Sequence, residues 1–210
     1  MEYEVRFYFS KNKLEKIFDL LDNEENLILD KKYYEKTFQF DHPCEEMSFY
    51  DKKIDGRFRL RLSKSDNDSK CKLSWKRRLP NHGENDINKE EEVELFINYD
   101  EHKNLLFLID NVLKMKTIES YERYRTIYYN DEIEISVDEY PFGVALEIEY
   151  KGTKGSPEIV IKKWLSILDL EIENSYKLSW DDKYLELCKE QNIEVYSHVL
   201  FNLPMPMIRE

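Results

Sequence analysis

Carboxylate and guanidinium side chains recur at alternate positions in several segments of this 210-residue chain. Residues two apart on a β-strand project from the same face, with Cα atoms roughly 6.5–7 Å apart. Like-charge pairs at this spacing occur five times, as Glu2/Glu4, Arg59/Arg61, Glu92/Glu94, Arg123/Arg125 and Glu147/Glu149. Such charges repel one another, and folding alone does not favour repeating the arrangement. A bound metal ion would relieve the glutamate pairs, and a polyanion would relieve the arginine pairs.

These two needs coincide in the chemistry of triphosphates. Hard divalent cations such as Mg²⁺ and Mn²⁺ prefer carboxylate, water and phosphate oxygens. A metal ion activates water or polarises a phosphoryl oxygen, while Arg and Lys hold the phosphates and offset their charge. Any one of these pairs is more often part of a solvated strand face, where cross-strand Glu and Arg partners neutralise each other. The five pairs together favour a site.

Composition restricts the other classes of function. The formal net charge of −12 disfavours extended nucleic-acid binding, but a concentrated basic site stays open. Three dispersed cysteines and four histidines form no paired ligand motif, so zinc is not expected. The N-terminus lacks the apolar run of a signal peptide, and no segment has the length of a membrane span. These features predict a cytoplasmic protein without membrane association.

The pattern of apolar residues predicts a mostly antiparallel sheet with several helices. Strands are expected at 2–9, 33–41, 45–51, 57–62, 72–78, 90–98, 117–129, 132–138 and 143–151. Helices are expected over 11–22, 100–115, 157–170 and 181–191. Ser10 is predicted to cap the first helix, Ser156-Pro157 to begin the third, and residues 80–89 to form a loop. We predict a single domain over 1–210, with residues 192–210 as a C-terminal extension.

The ordered series of motifs resembles the CYTH superfamily, also called triphosphate tunnel metalloenzymes, which includes class IV adenylate cyclases, thiamine triphosphatases, tripolyphosphatases and RNA triphosphatases. The opening E-x-E-x-K motif of that family is similar to Glu2-Tyr3-Glu4-Val5-Arg6, with arginine in place of the usual lysine. Two basic motifs resemble Arg59-Leu60-Arg61 and Arg123-Tyr124-Arg125, and the late acidic motif resembles Glu147-Ile148-Glu149. Further single matches are Lys76, Glu92-Val93-Glu94, Asp138 and Lys177.

The resemblance implies an α+β, mainly antiparallel fold: an eight-stranded closed β-barrel with a charged bore and helices packed on the outside. It implies catalytic metal ligands for Mg²⁺ or Mn²⁺ at Glu2, Glu4, Glu147 and Glu149. Asp138 would be a further catalytic acidic group near the metal or the attacking water. The phosphate contacts implied by the resemblance are Arg6, Arg59, Arg61, Lys76, Arg123, Arg125 and Lys177.

Three functions fit this site. The first is a metal-dependent triphosphate hydrolase acting on tripolyphosphate, a nucleoside triphosphate or a related organic triphosphate. The second is a class IV-type adenylate cyclase, and the third a noncatalytic polyphosphate- or nucleotide-binding module. Retention of both E-x-E pairs favours an enzyme, because a pure anion binder has little need of acidic ligands. The expected partner is a small-molecule triphosphate, with an RNA 5′-triphosphate end left open, and the chain is expected to be a monomer or homodimer.

Overall fold

A computed structural model describes residues 2–50, 54–79 and 88–209, apart from the side chains of Glu2, Arg78, Asn88 and Lys89. Its strands are β1 (Glu2–Phe9), β2 (Ile28–Asp41), β3 (Gly56–Lys64), β4 (Ser69–Arg78), β5 (Asn88–Ile97), β6 (Lys116–Tyr129), β7 (Ile133–Tyr140), β8 (Gly143–Tyr150) and β9 (His198–Val199). Its α-helices are α1 (Leu14–Asp22), α2 (His102–Phe107), α3 (Pro157–Ile167) and α4 (Trp180–Gln191). Within the described ranges, no helix is long and apolar enough to cross a membrane.

Eight of these strands curl into a tunnel. Their order is β2-β3-β4-β5-β1-β8-β7-β6, and β6 pairs again with β2 from Ile28 to Asp41. All neighbours in this ring are antiparallel. The eight-stranded α+β architecture expected from the sequence is therefore confirmed.

Closure of the tunnel is incomplete at one seam. The described pairing between β1 and β5 is limited to three residue pairs, from Glu2–Glu90 to Glu4–Asn88. Farther along β1, the backbone oxygen of Arg6 accepts a hydrogen bond from the N–H of Tyr176, at 2.7 Å, in the segment before α4. Among the described residues, the wall is thus an open barrel along this seam rather than the fully closed one that was expected.

Strand alternation determines which side chains face the bore. Val5, Phe7, Leu146 and Ile148 face outward and pack with Trp164 and the other buried residues of α1 and α3. The intervening residues of β1 and β8 are charged and point the other way, because successive side chains on a strand alternate between faces. The principal apolar core therefore lies between the wall and the helices, which leaves the bore to polar groups.

Two further helices cover other parts of the wall. α2 and the π-helical turn that follows it pack on β2, β3 and β4, where Ile109 of the π-helical turn is buried with Phe40 and Leu60. The first turn of α4 lies against the bore-facing side of the opposite strands. There Trp180 lies against Tyr121, with ring centroids 4.3 Å apart, and Tyr184 joins the same buried cluster. This helix covers one end of the bore.

The segment predicted as a strand over 45–51 is wrong for its described part. Glu45–Met47 is a 3₁₀ helix, and residues 51–53 lie outside the described residues. The Asp41 carboxylate turns the chain here, because it accepts hydrogen bonds from the backbone N–H groups of His42 and Phe49 and from the Ser48 hydroxyl, at 2.8, 3.1 and 2.6 Å. Side-chain acceptors of this kind compete with sheet pairing.

Other boundaries differ less. The helix expected over 100–115 begins as a 3₁₀ turn at Tyr99–Glu101, continues as α2, and becomes π-helical over Leu108–Val112. Ser10 precedes a 3₁₀ turn and its hydroxyl does not cap the helix, so that prediction was wrong. Ser156 does precede α3, and Pro157 occupies the first turn. Most of the loop expected over 80–89 lies outside the described residues.

The C-terminal extension packs on the outer wall. β9 pairs in parallel with β6 at Ser120 and Tyr121, just beyond the stretch where β6 pairs with β7. Phe201 then packs on Tyr124, with ring centroids 5.2 Å apart, and the N–H of Ile208 donates to the backbone oxygen of Phe142 at 2.9 Å. The extension thus continues the wall at the place where β7 diverges from β6.

Candidate functional site

The bore contains a cavity of about 300 Å³. Ten basic and seven acidic side chains of the described residues line it. The described lining therefore has an excess of positive charge, although the whole chain is acidic. This separation of charge is invisible in the composition and arises because alternation turns one face of each strand inward.

Strand register places opposite charges beside each other inside the wall. Arg123 lies opposite Glu35, and Arg125 lies opposite Asp138. Arg123 donates to Glu35 and to Asp138, each at 2.8 Å, and all three side chains are almost fully buried. Arg125 donates to both oxygens of Asp138 at 2.6 Å. Burial opposes the charged form of Arg123, yet Asp138 and Glu35 hold the pKa of Arg123 well above its usual value.

A carboxylate cluster, formed by Glu4, Glu147 and Glu149, lies on β1 and β8. Glu4 is opposite Glu149 in the strand register, and Glu147 is opposite Arg6. Arg6 donates through Nε to Glu147 at 2.8 Å and through a terminal nitrogen to Glu4 at 2.9 Å. Burial would raise the pKa of Glu147, but Arg6 and Arg125 hold that pKa well below its usual range. The ammonium of Lys151 pairs with Glu149 at 2.6 Å.

An arginine subsite, formed by Arg57, Arg59 and Arg61 on β3, occupies another part of the bore. Arg59 is 9% exposed, its Nε donates to the Gln39 side chain at 2.9 Å, and no described carboxylate lies within ion-pair distance of it. Arg61 reaches Glu35 only at 3.7 Å. Burial lowers the pKa of Arg59, and the net effect stays a lowering because the charges of Arg57 and Arg61 add to burial, while Tyr121 and Asp181 act in the opposite direction. Arg57, by contrast, pairs with Asp55 at 2.7 Å. The positive charge of Arg59 and Arg61 is therefore poorly compensated by the protein, whereas that of Arg57 is paired.

The tyrosine beside this subsite reports the same positive field. Burial of Tyr121 works to raise its pKa, but Arg59, Arg123 and Arg61 together lower that pKa to about 7. A phenol that ionises so readily lies in a strongly positive environment. Tyr121 packs against Trp180 at the start of α4, so this positive environment lies near the end of the bore that α4 covers.

Comparisons with known proteins bear on the fold. No protein-family model matches the chain, and no curated protein matches it either. Solved structures do match. The PH1819 protein of Pyrococcus horikoshii is 25% identical, with a TM-score of 0.64 over 89% of this chain and 99% of its own. HpAC1 from Hippeastrum, a candidate adenylyl cyclase described as having a dominant triphosphatase activity, is 17% identical, with a TM-score of 0.60 over 94% and 99%. A candidate adenylate cyclase from Vibrio parahaemolyticus is 13% identical, with a TM-score of 0.60 over 86% and 96%.

The chain has the fold of the CYTH superfamily. The resemblance drawn from the ordered motifs is thus confirmed at the level of architecture. Identities at this level show the fold and leave the reaction to be inferred from the site itself.

Most of the residues that the CYTH resemblance singled out lie in or beside the bore. Those that line the cavity are Arg6, Arg59, Arg61, Lys76, Glu92, Glu94, Arg123, Arg125, Glu147 and Glu149. Glu4 and Asp138 are buried against these lining residues through their ion pairs. Lys177 is not among the lining residues, and its ammonium donates to the Ser175 hydroxyl at 3.0 Å. Glu2 belongs to β1, but its side chain lies outside the described residues. The roles assigned to these positions stay predictions.

Several charged residues of this CYTH bore were not singled out from the sequence. Glu35 holds Arg123, and Lys72 pairs with Glu94. Lys76, a predicted phosphate contact, pairs with Glu90 at 2.5 Å, so a carboxylate of β5 partly neutralises the positive charge of β4. The sequence did contain a signal for Arg57, because it lies two residues before Arg59 and therefore on the same face of the strand as Arg59 and Arg61. Glu35 has no charged residue two positions away in β2, where Tyr33 and Thr37 stand, so no like-charge pair marks it.

The donor set of the carboxylate cluster fits a hard divalent cation in its chemistry. Glu4, Glu147 and Glu149 supply oxygen ligands of the kind that Mg²⁺ and Mn²⁺ prefer. As the described side chains stand, no three acidic, histidine or cysteine groups are disposed to hold a metal ion. The Arg6 guanidinium lies between Glu4 and Glu147 and takes an oxygen of each. A cation at this cluster therefore requires Arg6 to move.

Proposed function

We propose that this protein is a metal-dependent triphosphate hydrolase acting on tripolyphosphate, a nucleoside triphosphate or a related organic triphosphate. One observation carries the proposal: an arginine subsite in which Arg59 and Arg61 are poorly compensated shares one enclosed cavity with the carboxylate cluster. A linear polyanion that binds a divalent cation offers complementary charge to both. An ordinary strand face offers no reason for burying them together, because burying charge is costly unless it is paired.

The arginine subsite would bind the phosphate chain. Guanidinium groups remain charged when enclosed and donate two parallel hydrogen bonds to phosphate oxygens. Arg59 and Arg61 lack close carboxylate partners, so a phosphate meets little competition there. In a cavity with few waters these contacts are stronger than in bulk solvent, and they are already oriented before the substrate enters.

The carboxylate cluster would hold Mg²⁺ or Mn²⁺ through Glu4, Glu147 and Glu149, with Glu2 as the fourth predicted ligand. When bound, the cation supplies an activated water and withdraws charge from the phosphoryl oxygens. Both carboxylate oxygens of Asp138 accept hydrogen bonds from the guanidinium groups of Arg123 and Arg125. We assign to it the role of positioning these two arginines toward the cavity, rather than that of a general base.

The similarity to HpAC1 supports hydrolysis in particular, because its dominant activity is described as that of a triphosphatase. Similarity to the candidate adenylate cyclase of Vibrio parahaemolyticus keeps cyclisation of ATP as the main alternative reaction. The two reactions differ in the nucleophile, water or the ribose 3′-hydroxyl, and the phosphate-binding groups would be shared.

A product screen with Mg²⁺ and Mn²⁺ across tripolyphosphate, ATP, GTP and thiamine triphosphate tests the proposal. We expect release of inorganic phosphate, and a fall in kcat/KM of at least about 100-fold in Glu4→Gln and in Glu147→Gln. Glu139→Gln is the matched control, since Glu139 pairs with Lys32 at the exposed outer side of the wall. Cyclic AMP without free phosphate would establish a cyclase, and tight binding without turnover would establish a noncatalytic module.

A further inference from the structure

Arg6 bridges the two strands that carry the predicted metal ligands. One terminal nitrogen and Nε hold Glu147, and the same terminal nitrogen reaches Glu4 at 2.9 Å. Its other terminal nitrogen donates to the backbone oxygen of Leu178 at 3.3 Å. The side chains of Glu4, Glu147 and Arg6 are 1, 12 and 14% exposed, so water contributes little to neutralising these carboxylates.

The remaining oxygens of the two carboxylates also face cations. Glu4 approaches the ammonium of Lys76 at 3.4 Å, and Glu147 approaches Arg125 at 3.8 Å. Burial works against the charged form of Arg6, yet Glu147 and Glu4 hold its pKa well above the usual value. The guanidinium is thus a resident cation of the cluster, and no change of pH within the physiological range removes it.

A divalent cation and this guanidinium compete for the same oxygens. Mg²⁺ binds carboxylate oxygens at about 2.0–2.1 Å in a nearly octahedral arrangement. Arg6 already spans the gap between Glu4 and Glu147, and two cations within a buried cluster repel each other strongly. For the metal to bind, Arg6 has to find another anion to contact. Arg6 lines the cavity, so a triphosphate bound in the bore would lie near its guanidinium group.

We propose that Arg6 makes metal binding depend on triphosphate: the guanidinium blocks the carboxylate cluster until a phosphate chain draws it away. This inference rests on the proposed function for the presence of a triphosphate, and it adds an order of binding to it. The triphosphate would enter through the arginine subsite, Arg6 would transfer to its phosphate oxygens, and Glu4 and Glu147 would become available to the cation. No covalent bond changes in this exchange of partners.

Binding of Mn²⁺, followed by its paramagnetic effect on water-proton relaxation, tests the inference without using turnover. We expect Arg6→Met to bind Mn²⁺ alone at least tenfold more tightly than the unchanged protein, and Arg6→Met/Glu147→Gln to lose that gain. Lys32→Met is the matched control, because Lys32 is half-exposed and its partner Glu139 lies outside the cluster. It should bind Mn²⁺ as the unchanged protein does.

A second measurement needs no substitution at Arg6. A nonhydrolysable imido analogue of tripolyphosphate should raise the Mn²⁺ affinity of the unchanged protein at least tenfold, beyond the complex that the analogue forms with Mn²⁺ in buffer. Equal Mn²⁺ affinity in the unchanged protein and Arg6→Met overturns the inference. If Arg6→Met does not fold, an Mn²⁺ affinity unaffected by the analogue overturns it. If neither the unchanged protein nor Arg6→Met binds the analogue at any Mn²⁺ concentration, the proposed function is refuted. The comparison of the two proteins with Mn²⁺ alone still decides the role of Arg6.

Discussion

Replacing Asp138 by Asn should destabilise the protein strongly, because this carboxylate holds two arginines at the inner wall. Asp138 is 2% exposed and accepts three charge-assisted hydrogen bonds, at 2.8 Å from Arg123 and twice at 2.6 Å from Arg125. The amide has nearly the same shape but no charge. Two guanidinium groups would then face each other across a site with little water.

The size of the destabilisation depends on which carboxylate partners the two arginines keep in Asp138→Asn. Breaking a buried ion pair typically costs about 3–5 kcal/mol. Arg123 keeps Glu35 at 2.6 Å, whereas the carboxylate that Arg125 keeps within the described part of the chain is Glu147, at 3.8 Å. We therefore expect the lower end of that range, about 3 kcal/mol in the free energy of unfolding. For a chain of this length, that corresponds to a fall in Tm of roughly 6–12 °C.

Urea denaturation, followed by circular dichroism, measures this loss against Glu139→Gln. Glu139 is the next residue on β7, its ion pair with Lys32 is largely exposed, and its loss should cost less than about 1 kcal/mol. Tripolyphosphate should protect Asp138→Asn more than the unchanged protein, since the variant has two undercompensated guanidinium groups. If Asp138→Asn lies within 1 kcal/mol of the unchanged protein, Asp138 does not hold these arginines in the way that the structure indicates.

Three further outcomes are expected. The neighbouring arginines lower the pKa of Tyr121 to about 7, so its phenolate should form as pH rises from 6 to 8.5. Calorimetry should therefore show weaker binding of tripolyphosphate over that range. Tyr121→Phe should flatten this dependence of binding on pH. Filling the subsite with tripolyphosphate should raise the pKa of the Tyr121 phenol, measured by an absorbance titration at a wavelength where the phenolate absorbs. An unshifted pKa would place the anion elsewhere. Val199→Ala should cost about 2 kcal/mol of unfolding free energy, because Val199 is 1% exposed in the C-terminal extension, whereas Val195→Ala, at 54% exposure, should be near neutral. A loss in both variants alike would show that the extension does not pack as described.

Local pattern was sufficient for most of the strands and for which residues share a face. The alternation of Arg59 and Arg61 with Leu60 predicts a strand with both arginines on one side, because side chains alternate with a period of two. That this charged side faces a bore was implied by the CYTH resemblance. Alternation also placed Glu147 and Glu149 on one face. It failed over 45–51, where the side chain of Asp41 supplies acceptors that turn the chain, an effect that apolar periodicity does not register.

The partners of the charged residues were decided by tertiary structure alone. The CYTH resemblance implied that Arg6, Asp138 and Glu147 face inward, but cross-strand register determines which charge meets which. For Arg6 and Glu147 this register joins strands more than a hundred residues apart in sequence, whereas Asp138 meets Arg125 across the neighbouring strands β6 and β7. The sequence showed five like-charge pairs and therefore predicted repulsion relieved by ligands. The fold relieves part of it internally, by placing Arg6 between Glu4 and Glu147, while among the residues that the structure describes Arg59 has no carboxylate at ion-pair distance. Residue identities thus determined that the bore would be charged, and the geometry of its wall determined where that charge stays available.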